Sequence, residues 1–209
     1  MVKKVLVFSL AGLLSFGAAA QPRACQSVFQ AGMGLFVETT DGFIDIVDQE
    51  PGVVLKFSYG LDIPVAGSWS VLPGIGLRDQ AADIRHARWY GGDPDGLLYA
   101  DVFTLARWHF ASADGTRTVF CIGPDLSYEL SNETYYIDAD PWDDLSGKRK
   151  YKPWDIGLLA GIAFEKGSHW QFGAEPCLGL RNLLIQYPDL YRTCTRHFHT
   201  LMFTCGYRF

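Results

Sequence analysis

The stretch RHFHTLMFTCGYRF, residues 196–209, alternates from end to end. Successive side chains of an extended strand point to opposite sides. His197, His199, Leu201, Phe203, Cys205, Tyr207 and Phe209 therefore share one face, and Arg196, Phe198, Thr200, Met202, Thr204, Gly206 and Arg208 share the other. The first face is mostly apolar and rich in rings; the second is more polar. A strand of this kind, ending on an aromatic residue, is expected as the closing strand of a barrel in a bacterial outer membrane. Tyr207 and Phe209 would then serve as its carboxy-terminal insertion signal. Closure predicts pairing with a strand near Ser27–Val37.

Seven further stretches alternate in the same way: Ser27–Val37, Gly52–Val65, Trp69–Arg78, Leu97–Phe110, Thr116–Leu130, Trp154–Glu165 and His169–Leu183. Most exceed the usual globular strand and suit the roughly 9–11 residues that a tilted strand needs to cross a bilayer. Three links are short and carry a glycine for a tight hairpin: Ala66-Gly67-Ser68, Ser112-Ala113-Asp114-Gly115 and Lys166-Gly167-Ser168. Four are longer: Glu38–Pro51, Asp79–Gly96, Ser131–Pro153 and Leu184–Thr195. Short turns alternating with long loops are the pattern of outer-membrane barrels, and an even strand count puts both chain ends on the short-turn, periplasmic side. The expected fold is all-β: a closed, antiparallel, up-and-down transmembrane barrel of eight strands.

The two faces differ in polarity in the sense a membrane demands. In 97–110, Leu98, Ala100, Val102, Thr104, Ala106, Trp108 and Phe110 would meet lipid, while Asp101 and Arg107 turn inward. Arg or Lys at a lipid midplane costs about 2–4 kcal/mol, so this segregation is informative. Trp69, Trp108, Phe110, Trp154, Phe164 and Trp170 are read as an aromatic girdle at the short-turn end. A soluble, exported lipocalin-like barrel, the competing architecture, carries its apolar residues inside.

At the other end of the chain, Lys3 and Lys4, an apolar run from Val5 to Phe16 and Ala18-Ala19-Ala20 describe a secretory signal peptide over residues 1–20. Cleavage before Gln21 would leave 21–209 as one barrel domain. The apolar run is too short for a membrane-spanning helix. With 209 residues, a net charge of −5, 48% hydrophobic and 14% aromatic residues, the composition argues against a nucleic-acid partner. Cys25, Cys121, Cys177, Cys194 and Cys205 are odd in number and lack C-x-x-C spacing. Most read as small apolar fillers on strands rather than as a zinc or redox site.

Chemistry concentrates in the inferred lumen, where alternation gathers Lys56, Asp62, Asp101, Arg107, Asp125, Asp155, Glu175 and Arg181. An ion path is one reading. A structural network is the stronger one, because eight strands enclose just enough room for their own side chains. His197 and His199 share a face, with Asp189 and Cys194 as loose third ligands, which is too little for a metal site. An outer-leaflet lipid hydrolase or acyltransferase would draw on Ser127 or Ser131, on His197, His199 or His86 as base, and on Glu129 or Glu133 to orient it. No G-x-S-x-G motif occurs. No catalytic residue, metal or cofactor is therefore assigned. Asp138–Asp144, beside Lys148-Arg149-Lys150, reads as a solvated, self-pairing loop. The expected partners are outer-membrane lipids, the barrel-assembly machinery during insertion, and an unidentified ligand at the long loops.

Several segments resemble the PorT-like outer-membrane β-barrel proteins of Bacteroidetes, small barrels of the OmpA/OmpX kind. They are Gly32-Met33-Gly34, Tyr59–Trp69, Leu98–Val102, Gly123-Pro124-Asp125-Leu126, Asp155–Gly161 and Gly206-Tyr207-Arg208-Phe209. The resemblance spans nearly the whole mature chain. It implies an outer-membrane barrel of about eight strands, in a family mostly without assigned biochemical activity.

Overall fold

The structure is a computed structural model that describes residues 25–41, 52–81, 96–111, 116–130, 152–167, 169–183 and 195–209. They form eight strands: β1 (Gln26–Asp41), β2 (Gly52–Ala66), β3 (Trp69–Ala81), β4 (Gly96–Ala111), β5 (Thr116–Glu129), β6 (Trp154–Lys166), β7 (Trp170–Gly179) and β8 (Thr195–Arg208). Each strand pairs antiparallel with the next, and β8 pairs back onto β1 to close the barrel. The seam runs from Val28 opposite Arg208 to Asp41 opposite Thr195, and the Phe209 N–H donates to the Ser27 carbonyl at 3.0 Å. Closure leaves no unpaired sheet edge, as lipid requires.

Two of the short turns pivot on Gly67 (φ 54°) and Gly167 (φ 66°), a backbone region that L side chains rarely occupy. The turn over 112–115 and the signal-peptide region lie outside the described residues. β1 and β3 run three or more residues beyond their predicted ends, because their long-loop ends keep pairing: Thr39 sits opposite His197, and Gln80 opposite Leu97. β7 ends at Gly179, short of the expected Leu183.

Side chains alternate as predicted. Outward positions such as Met33, Phe57, Ile75, Ile122, Phe172 and Phe203 are exposed, and among the described side chains the charged outward residues are Asp79 and Lys166, both near strand ends. An apolar exterior around a polar interior is the reverse of a lipocalin, so the soluble alternative is set aside on polarity.

The aromatic girdle needs one correction. Trp69 stacks on Trp108 (5.3 Å), and Trp108 and Phe120 flank Phe110 at 4.4 and 5.5 Å. Trp170, Tyr207 and Phe209 continue that rim. Trp154, however, opens a strand that follows a long link, so it lies at the opposite end, 4.5 Å from Tyr128.

Candidate functional site: the filled lumen and its short-turn mouth

Inward-facing residues fill the barrel in three zones. Toward the long-loop end, Asp101 from β4 is the hub. Lys56 Nζ lies 3.5 Å from its Oδ2, and Arg78 reaches it through Nε and Nη2 at 3.3 Å each. Arg78 Nη2 also donates to Ser127 Oγ at 2.7 Å, and its guanidinium lies over Tyr99. In the middle, Val28, Leu72, Phe103, Leu105, Leu159 and Cys177 form an apolar plug, with Cys121 against it. Lys56 packs its ammonium over the Phe103 ring at 5.1 Å, joining the two zones. Beside the plug, Gln30 donates to Glu175 at 3.2 Å.

The short-turn end is organised around Arg107 and Glu165. Arg107 donates to Asp62 (2.6 Å), Glu165 (3.2 Å) and Gln171 (3.1 Å). Arg208 and Arg117 approach the other oxygen of Glu165 at 3.0 and 3.4 Å. Most of these groups are nearly sealed: Arg107, Glu165 and Arg208 are 2%, 1% and 4% exposed. Mutual pairing is what makes burial of so many charges tolerable, since an isolated ion inside a protein is very costly.

Of the lumen residues expected from sequence, Lys56, Asp62, Asp101, Arg107, Asp125, Asp155 and Glu175 are buried inside. Arg181 is not. β7 ends before it, and it lies partly exposed near the long-loop rim, donating to the Trp154 carbonyl at 3.1 Å. The expectation missed Arg78, Arg117, Glu165 and Arg208. Carrying the two-residue count to the end of each strand would have found them.

Among the described residues the enzyme candidates do not assemble. Ser127 faces the lumen, whereas His197 and His199 stack on each other (6.3 Å) on the outer face, where His199 hydrogen-bonds Thr39 at 2.9 Å. Opposite parity puts the barrel wall between base and nucleophile. Glu129 points inward as well. Ser131, Glu133, His86, Asp189, Cys194 and the 138–150 segment lie outside the described residues. Cys25, Cys121, Cys177 and Cys205 are free thiols, and among the described residues no three His, Cys, Asp or Glu side chains converge as a metal site.

A different serine–histidine pair appears at the short-turn mouth. Ser70 Oγ and His109 Nε2 are hydrogen-bonded at 2.7 Å, and His109 Nδ1 lies 4.0 Å from Glu165 Oε1. The order of groups is that of a triad, but 4.0 Å is too long for a hydrogen bond. The charge of Glu165 is already compensated by three arginines, and strand N–H groups engaged in the ladder offer no oxyanion hole. The pair ties β3 to β4. It lines a cavity of about 310 Å³ together with Gln26, Asp62, Arg117 and Arg208.

An apolar exterior, two aromatic rims and a closed eight-stranded wall define an outer-membrane β-barrel protein. The chain belongs to the outer membrane protein beta-barrel domain family, which matches residues 26–184. Neisserial surface protein A is similar in fold at 10% identity and a TM-score of 0.52, over 90% of this chain and 100% of that one. The attachment invasion locus protein Ail of Yersinia pestis aligns at 13% identity and a TM-score of 0.48, over 90% and 100%. OprG of Pseudomonas aeruginosa aligns at 13% and 0.40, over 90% and 97%. No curated protein matches the sequence.

Proposed function

We propose that this protein is a non-conducting outer-membrane scaffold that presents the connections over 42–51, 82–95, 131–151 and 184–194 at one end for surface binding. The observation behind this reading is the filled interior. The plug of Val28, Leu72, Phe103, Leu105, Leu159 and Cys177 lies between two buried ion-pair networks, so the fold spends its lumen on stability. In the same reading Met1–Ala20 is a cleaved leader, Tyr207 and Phe209 engage the assembly machinery, membrane lipids surround the wall, and the relationship is to PorT-like barrels of Bacteroidetes.

Two measurements test it. In planar bilayers the folded protein should show no ion conductance; stable open channels would remove the scaffold reading. Cysteines placed in the four connections should react with an impermeant maleimide on intact cells, and replacing those connections by short turns should leave the barrel folded but abolish cell attachment to its ligand surface. Unchanged attachment would sink the binding role.

A further inference from the structure

The backbone ladders of the barrel are not equally continuous. Among the described residues, β8–β1, β1–β2, β3–β4, β5–β6 and β7–β8 pair without a break, the first from Val28 to Asp41. The other three ladders each skip two rungs. In β2–β3, pairing stops at Gly60 opposite Gly74 and resumes at Ile63 opposite Val71. In β4–β5 it stops at Phe103 opposite Asp125 and resumes at Ala106 opposite Ile122. In β6–β7 it stops at Leu159 opposite Cys177 and resumes at Ile162 opposite Ala174. Register is the same on both sides of each gap, so Leu61 faces Pro73, Thr104 faces Pro124 and Ala160 faces Pro176. A separate shift in β2–β3, between Pro64 and Ala66, lies beside its turn.

Proline accounts for the coincidence. It has no N–H, so inside a sheet it completes its rung on one side only. Pro73, Pro124 and Pro176 keep rungs with Thr104, Leu158 and Leu201 on the following strand. Toward the preceding strand each offers no donor, and Pro124 and Pro176 are exposed on the lipid side, where water cannot stand in. The Thr104 carbonyl instead turns against Gly123, where an added Cβ would collide with it. All three gaps fall in hairpins closed by short connections. Continuous pairing therefore divides the wall into three blocks: β7–β8–β1–β2, β3–β4 and β5–β6. Inside the barrel, side chains cross each gap. Lys56 on β2 reaches Asp101 on β4 (3.5 Å), and Asp62 on β2 holds Arg107 on β4 (2.6 Å). Arg78 on β3 donates to Ser127 on β5 (2.7 Å), and Arg208 on β8 pairs with Glu165 on β6 (3.0 Å).

We propose that the wall works as three blocks that shift against one another along the proline-gapped ladders, with the lumen side chains as the ties that limit the movement. Proteins open locally in contiguous units, and the boundaries lie where pairing is thinnest. Each block carries its own long connections: 82–95 on β3–β4, 131–151 on β5–β6, and both 42–51 and 184–194 on β7–β8–β1–β2. A shift along one gap therefore repositions one connection against the next, while the β8–β1 seam stays closed.

The test is amide hydrogen exchange, read residue by residue by NMR on the full chain folded in phospholipid nanodiscs. Ala106 and Ile122 flank one gap, Ile162 and Ala174 another, and Met33 and Phe203 face each other across the seam. With two rungs missing, the gap amides should exchange roughly tenfold or more faster than the seam amides. Pro124→Val restores a donor and should slow Ala106 and Ile122 to seam-like rates while leaving Ile162 and Ala174 unchanged. Pro176→Val should do the reverse, so either variant decides the matter if the other folds poorly. Ser127→Ala cuts the Arg78 tie and should speed exchange at the β4–β5 gap by about fivefold, the worth of one net hydrogen bond, without touching the seam. Equal protection of gap and seam in the wild type, or a proline replacement that leaves its own gap unchanged, would overturn the proposal.

Discussion

Replacing Arg107 by Met removes the hub of the short-turn network while keeping the volume of its stem. Arg107 is 2% exposed and holds Asp62 at 2.6 Å and Glu165 at 3.2 Å. Glu165 would retain Arg117 and Arg208, so the loss falls on Asp62, whose Oδ1 already has no hydrogen bond. Stranding one partner of a buried ion pair costs about 3–5 kcal/mol, or some two to three and a half decades in the folding equilibrium. Asp62→Asn alone should cost less, about 1–2 kcal/mol, because Arg107 keeps Glu165 and Gln171. Combined, R107M/D62N should be more stable than R107M by at least about 1 kcal/mol, since the second change removes the stranded charge. Reversible urea titration in lipid vesicles, followed by tryptophan fluorescence and heat-modifiable gel migration, reads all four corners of the cycle. Strictly additive effects, or a cost below about 1 kcal/mol for R107M, would refute the claim that this network is tightly coupled.

The remaining predictions concern the wall. A methyl at Gly34 would run into the Leu201 carbonyl across the β1–β8 seam, whereas one at Gly67 meets nothing and strains only a positive φ. G34A should therefore cost at least about 1–3 kcal/mol by overpacking and slow closure, against about 1–2 for G67A; the same urea titration ranks them, and equal costs would contradict the seam geometry. Ile75→Lys, at the centre of β3 on the lipid face, should cost about 2–4 kcal/mol, and Asp79→Lys near the rim close to nothing; the reverse order would contradict the assigned membrane span. With a water-soluble maleimide, Cys25 should label in the folded protein while buried Cys177 stays protected until urea unfolds it. Rapid native labelling of Cys177 would contradict a filled lumen.

Much of the architecture is legible without coordinates because its cause is local. The two-residue period of Leu98–Phe110 or Trp170–Leu180 fixes the face of each side chain, and a lipid solvent then demands apolar residues outside. Alternation says least at the strand ends. The rim of Trp154 follows from the long link that precedes β6, and Arg181 lies outside the lumen because β7 ends at Gly179. Ser127 and His197 show the opposite limit: nearness to one end of the barrel says nothing about assembly when parity sends them to opposite sides of the wall.

The sequence by itself determined strand number, order, polarity and the inward destination of most charges, since alternation and turn chemistry are properties of short segments. Only the tertiary structure decided who pairs with whom. Arg107, Arg117, Glu165 and Arg208 come from β4, β5, β6 and β8, and no local pattern links them. Curling one sheet into a closed barrel brings these four strands around a shared interior, and strand stagger sets the height at which each side chain enters it. That convergence surrounds Glu165 with three arginines at the short-turn mouth.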